Sequence, residues 1–107
     1  MRRGDVVTVA LPGDDGKPRP GLILQSDRFP DHPSVTLLPI TSTLRDAPMV
    51  RLDLAPAPGN GLRMPSQIMV DKAVTVPRGR IGGVIGRLAE VELLAVTQAL
   101  AVFLGFA

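Results

Sequence analysis

The sequence has no cysteine, no tryptophan and no tyrosine, and a single histidine, His32. Without cysteine there is no disulfide, no thiolate nucleophile and no cysteine metal site, which fits a reducing, cytoplasmic compartment. One histidine excludes a two-histidine proton shuttle within one chain. A Ser–His–Asp triad would need His32, and no serine stands in a nucleophile elbow. Only three phenylalanines are present, and Phe29 alone lies outside the C-terminal helical region, so a binder built on base-stacking platforms is not expected. No apolar run reaches the ~20 residues of a membrane span. The most apolar stretch, Leu93 to Ala107, is interrupted by Thr97 and Gln98. Carboxylates are scattered, and Asp14-Asp15 reads as a turn pair, so neither a metal nor another cofactor is expected. Gly79 to Gly86 (GRIGGVIG) matches neither the dinucleotide-binding nor the P-loop pattern.

What is present describes one globular domain, residues 1–107, with 45% hydrophobic and 21% charged residues. The start, MRRGDVVTVALPGDD, has only a short apolar run after its arginines, which suits a strand better than a signal peptide. Net charge is only +2, but ten of the twelve basic residues are arginine. Arginine offers a planar fork for phosphate, and an arginine-favouring coding bias accounts for the count equally well.

Read in order, Val6 to Leu11 is a first strand with Val7, Val9 and Leu11 on one face. Pro12 to Gly16 is a turn, and Lys17 to Pro20 leads into a second, buried strand through Leu22, Ile23 and Leu24. Pro18 and Pro20 hold Arg19 in extended backbone at that strand's mouth, where a guanidinium is placed to meet a phosphate or simply water. Arg28 to Ser34 is a proline-set loop whose His32 reads as a surface residue. Val35 to Ile40 is a third strand ending in the hydroxyl run Thr41-Ser42-Thr43, which either satisfies local backbone or orients a phosphate. Val50 to Leu54 alternates as a half-exposed strand, and Ala55 to Pro65 is a Pro/Gly-rich loop. Ile68 to Val76 reads as one longer strand carrying Asp71 and Lys72, and Gly79 to Gly86 as a turn and short strand. A helix spans about Glu90 to Leu104, with Leu93, Val96, Leu100, Phe103 and Leu104 on one face. Its other side is poorly polar, which calls for cover by a second subunit or a partner.

The segments Arg3-Gly4-Asp5-Val6-Val7, Arg19-Pro20-Gly21-Leu22-Ile23, Leu38-Pro39-Ile40-Thr41-Ser42, and Asn60-Gly61-Leu62 through Pro65-Ser66-Gln67-Ile68-Met69-Val70-Asp71-Lys72 occur in the order found in one family. With the closing helix, they make the chain resemble the MazF/PemK-like toxin endoribonucleases of type II toxin–antitoxin systems. The resemblance runs from Arg3 to Phe106.

That resemblance implies a mostly β (α+β) fold, a small antiparallel SH3-like barrel of the CcdB/PemK type with a C-terminal helix. It implies a homodimer that cuts single-stranded RNA without a metal, the RNA 2′-hydroxyl being the nucleophile. A cognate antitoxin would neutralise it, and operator DNA would be met only through that antitoxin. Arg19 matches the family's phosphate-acting arginine, Thr41 its strand-end threonine, and Asp71 the aspartate proposed as general base. The chain departs at Met69, where Kid-like relatives have an arginine proposed as general acid. A guanidinium holds its proton tightly, so Arg19 is assigned to charge stabilisation. Lys17, Ser42, Ser66 and Lys72 are expected to contact RNA. The alternatives are a gyrase poison like CcdB, whose C-terminal tryptophan this chain lacks, and an inactive interaction domain of the same fold.

Overall fold

Val6 and Val7 are neighbours on one strand and both are fully buried. Successive strand side chains point to opposite faces, so burial of both means that the sheet is covered on each side. Two apolar clusters provide that cover. One holds Val6, Leu22, Leu38, Ile40, Leu54, Ile68, Val70, Leu88, Leu93 and Val96; the other holds Val7, Val9, Ile23, Val35, Leu37 and Val76. The pairs Val6/Val7, Leu22/Ile23 and Leu37/Leu38 are divided between them as alternation requires. Each such side chain, taken fully from water, contributes about 1.5–3 kcal/mol.

The computed structural model describes residues 1–107. Its elements are β1 (Asp5–Ala10), β2 (Pro18–Ile23), β3 (Ser34–Thr41), β4 (Arg51–Leu54), β5 (Ser66–Met69), β6 (Val74–Pro77), β7 (Ile81–Arg87) and α1 (Glu90–Leu104). The antiparallel sheet runs β4-β5-β3-β2-β1-β7, with β6 also paired to β3. β3 is the spine: Ile40 and Thr41 pair with β5, while Ser34 to Leu37 pair with β6. β5 and β6 therefore use one edge of β3 in succession.

The single strand expected over Ile68 to Val76 is thus two strands, broken by a 3-10 turn at Val70–Lys72. Val70 is fully buried and donates its N–H to Val50 O at 2.9 Å, and α1 packs across this turn. Turning the chain there buries Val70 beneath the helix and lets β6 reach the far half of β3. Asp71 and Lys72 ride on the turn.

The sheet does not close as a barrel ladder, since β4 and β7 remain its two edges. The β4–β5 loop spans the gap instead. Gly59 O accepts the Arg87 N–H at 2.8 Å, and Gly61 lies against Ile85. A Cβ on Gly61 would overlap the Ile85 carbonyl, and one on Gly86 would overlap that of Asn60. Gly61 also has φ +71, which disfavours any side chain.

The Arg3-Gly4-Asp5 opening is structural. Arg3 donates Nε to Leu24 O at 3.1 Å and Nη2 to Thr97 Oγ1 at 2.8 Å, tying α1 to the end of β2. Asp5 Oδ1 accepts from Arg87 Nη1 at 2.9 Å in a half-buried pair linking β1 to β7. Helix α1 has the bounds its periodicity predicts, and Glu92 accepts the Ala89 N–H at its start. Leu93 and Val96 are buried, and Leu100 packs against the core. Phe103 and Leu104 are about half exposed, as are Leu94 and Val102, and Val91 is more so. The helix's far end and outer side carry an uncovered apolar surface. No helix is long and apolar enough to cross a membrane.

Candidate active site

Arg19 lies inside β2, opposite Val9 of β1. Its flanking prolines have no N–H to give, and β3 begins to pair with β2 only at Gly21. The Pro18-Arg19-Pro20 end of β2 therefore overhangs β3 with its outer edge open. The β1–β2 loop folds back over it: Lys17 donates its N–H to Asp14 O at 3.0 Å, and Asp15 takes φ 52. Asp14 Oδ2 then receives Arg19 Nε at 3.2 Å, with side chains 50% (Arg19) and 32% (Asp14) exposed. Asp14 engages only Nε, so the Nη groups of Arg19 are left for another acceptor.

Thr41 ends β3 opposite Gln67 of β5. Its Oγ1 accepts the Thr43 N–H at 3.0 Å, closing a hydroxyl turn. With that lone pair engaged, the Thr41 O–H is free to donate outward. A third wall comes from the β4–β5 loop, built on Asn60, which is only 4% exposed. Asn60 Oδ1 accepts from Ala57 N at 3.1 Å and Leu62 N at 3.0 Å, while Nδ2 donates to Ala55 O at 2.9 Å. This fixed loop presents Leu62, Arg63 and Met64.

These walls enclose a cavity of about 800 Å3. Its charged lining groups are Arg19, Arg63 and Asp14, and its hydroxyls come from Thr8, Thr41, Ser42, Thr43 and Ser66. Leu11, Ile40, Met69 and Ile85 contribute apolar surface. Cations and hydroxyl donors over an apolar floor, with one carboxylate, suit a phosphodiester better than a metal.

The sequence matches the family model for PemK-like, MazF-like toxins of type II toxin–antitoxin systems over residues 2–104. The chain belongs to this family. It is 48% identical, over its full length and 99% of the relative's, to a probable endoribonuclease MazF of Mycolicibacterium smegmatis. The fold superposes on the Mycobacterium tuberculosis toxin MazF-mt6 with a TM-score of 0.78 at 30% identity, covering 91% of this chain and 92% of that one. A mycobacterial endoribonuclease solved with its cognate antitoxin shares the fold, with a TM-score of 0.80 at 23% identity over 100% and 97% of the two chains.

Within this MazF-like frame, the structure gathers four of the seven expected site residues. Arg19, Thr41, Ser42 and Ser66 line the cavity. Ser66 is nearly buried and spends its hydroxyl on Met64 O at 2.9 Å, so it shapes the loop rather than offering a free donor. Lys17 is exposed and outside the lining. Asp71 and Lys72 are elsewhere, on the 3-10 turn, where they face each other at 3.7 Å. Asp71 Oδ1 is buried with no hydrogen-bond partner, and no base at Asp71 shares a cavity with Arg19 in this chain. The physical reason is the break in the strand, which carries the chain out of the cavity after Met69.

Asp14, Arg63 and Thr8 are cavity residues that the sequence reading missed, whereas Thr43 belongs to the hydroxyl run already singled out. Asp14 stands five positions before Arg19, at the spacing of a hairpin loop, and that was its one legible signal. Arg63 sits on a connecting loop held by a scaffold, where binding side chains tend to occur. His32 is exposed and makes 3.1–3.2 Å contacts with Ser34, outside the cavity.

Proposed function

We propose that this chain is a metal-independent endoribonuclease toxin that cuts single-stranded RNA through attack by the RNA's own 2′-hydroxyl. One observation carries the reading: antiparallel pairing brings Arg19, Asp14 and Thr41 from separate segments to one partly apolar cavity. Arg19 presents its Nη groups to the non-bridging oxygens and stabilises the charge of the phosphorane. Thr41 donates its O–H to the same phosphate. Asp14, the only carboxylate in the cavity, takes the 2′-hydroxyl proton as the 2′ oxygen bonds to phosphorus. The bond to the 5′ oxygen breaks, leaving a 2′,3′-cyclic phosphate and a 5′ oxygen that takes its proton from solvent water. Met69 lines the cavity but its thioether has no proton to give.

The active form is a homodimer, supported by the uncovered apolar residues of α1. The partner that silences it is a cognate antitoxin, by likeness to the mycobacterial endoribonuclease solved with its own. Operator DNA would be contacted through the antitoxin, and the reaction belongs to the cytoplasm, where mRNA is found. Membership among MazF-like toxins sets this reading above a gyrase poison of the same fold.

The test is single-turnover cleavage of a single-stranded RNA beside the same oligomer carrying 2′-deoxyribose at the cut, each with and without excess EDTA. RNA should be cut equally in both conditions and the deoxy oligomer should stay intact. Cleavage of the deoxy oligomer, or loss of activity in EDTA reversed by divalent ions, would overturn the mechanism.

A further inference from the structure

Gln67 is 6% exposed, and its amide is fully used. Oε1 accepts from Arg45 N at 3.0 Å and Arg51 Nη1 at 3.1 Å; Nε2 donates to Arg45 O at 3.0 Å and Asp53 Oδ1 at 2.9 Å. A primary amide has two donors and two lone pairs, and here each has one partner. The pattern also fixes which way the amide faces, because a flipped group would set its NH2 against two donors.

The consequence lies on the β3–β4 connection. Gln67 grips Arg45 by both backbone groups, as a neighbouring strand would, although Arg45 is in no strand. Arg51 Nη1 extends the grip to Thr43 O at 3.1 Å. Thr43 N–H in turn holds Thr41 Oγ1. A continuous chain of hydrogen bonds thus runs from Gln67 through Arg51 and Thr43 to the hydroxyl at the cavity wall. We infer that Gln67 is a positioning residue for cleavage: it fixes the Thr41–Arg45 segment so that the Thr41 hydroxyl points at the phosphate. It touches no substrate itself. The inference rests on the reading that Thr41 acts on the scissile phosphate.

The experiment is a double-mutant cycle in steady-state RNA cleavage, with kcat and KM separated and thermal melts recorded, on Gln67→Met, Thr41→Val and the double variant. Methionine keeps the length and apolar bulk and removes all four hydrogen bonds. Thr41→Val should slow cleavage, and Gln67→Met should lower kcat by about tenfold or more, because small misplacement of a reacting group is costly. KM should change little. The losses should not multiply: the double variant should cleave within about twofold of the slower single one.

Wild-type kcat for Gln67→Met, or losses that multiply, would overturn the inference. Failure of the underlying reading looks different, since Thr41→Val alone would then cut at the wild-type rate, and the inference would fall with it. Should Gln67→Met fail to fold, Arg51→Met tests the same chain from a partly exposed position. It should lower kcat and show the same non-additivity with Thr41→Val, and independent behaviour there would overturn the inference equally.

Discussion

Arg19→Ala separates a catalytic arginine from a solvated one, because its two effects differ greatly in size. In the folded state the residue makes one ion pair at 3.2 Å, with side chains 50% and 32% exposed. Such exposed pairs contribute about 0.2–1 kcal/mol. For a chain of this size the melting temperature should fall by less than about 5 °C. In the proposed transition state the same guanidinium faces charge developing on the phosphorane within a partly apolar cavity. Losing one preorganised donor there costs about 100- to 1,000-fold in rate, or about 2.7–4 kcal/mol. The predicted outcome is a folded protein that has lost at least ~100-fold in single-turnover cleavage. Arg19→Lys should recover little, because a point charge does not replace a fork whose Nε is held by Asp14 and whose Nη groups are left for another acceptor. The assay is cleavage of a 5′-labelled single-stranded RNA with enzyme in excess, alongside thermal melts of each variant. A well-folded Arg19→Ala protein that cuts at the wild-type rate would refute the reasoning.

Asp14→Asn should slow cleavage at neutral pH, and the deficit should shrink as pH rises and hydroxide replaces the base. Asp71→Asn should leave the rate within about twofold and keep or raise the melting temperature, because it removes the charge from a buried oxygen that has no partner; the reverse ranking of the two variants would return the base role to Asp71. In light scattering, the wild-type chain should be a dimer across the micromolar range, while Leu94→Glu, on the exposed side of α1, should shift it toward monomer. A wild-type monomer under those conditions would remove the argument from the uncovered helix.

The parts of the fold that were legible in the sequence are those written by local rules. The 3.6-residue spacing of Leu93, Val96, Leu100, Phe103 and Leu104 placed α1 at its observed bounds, although Phe103 and Leu104 are about half exposed. Val7, Val9 and Leu11 share a face as their alternation requires. Arg19 and Thr41 were legible through family motifs, and pairing through β1, β2 and β3 then brings them together. The break at Val70–Lys72 was read through, because β-branched and apolar residues flank it on both sides, although Asp71, Lys72 and Ala73 are themselves poor strand formers. Nothing local records that two successive strands must share one edge of β3, and Asp71 rides on the turn between them, outside the cavity that Arg19 and Thr41 line. Asp14 was hidden for the opposite reason: as a turn residue it was fully accounted for, and only the folded loop aims it at Arg19.

Gln67 shows why positioning residues are harder to read than reacting ones. A residue that meets a phosphate is restricted by its own chemistry, and arginine advertises it. Gln67 is restricted by four hydrogen bonds to three residues on two other segments, Arg51 and Asp53 of β4 and Arg45 of the β3–β4 connection, and none is near it in sequence. Asn60 acts over a shorter range: its partners Ala55, Ala57 and Leu62 belong to its own loop, and its side chain shapes the turn that presents Arg63. Two walls of the cavity are thus connecting segments made rigid by one buried amide each. The connections can vary in the side chains they show to RNA while the amides keep the backbone in place. Variation in cut-site preference should therefore be sought at Ser42, Thr43, Leu62, Arg63 and Met64, which line the cavity, and not at the amides that hold them.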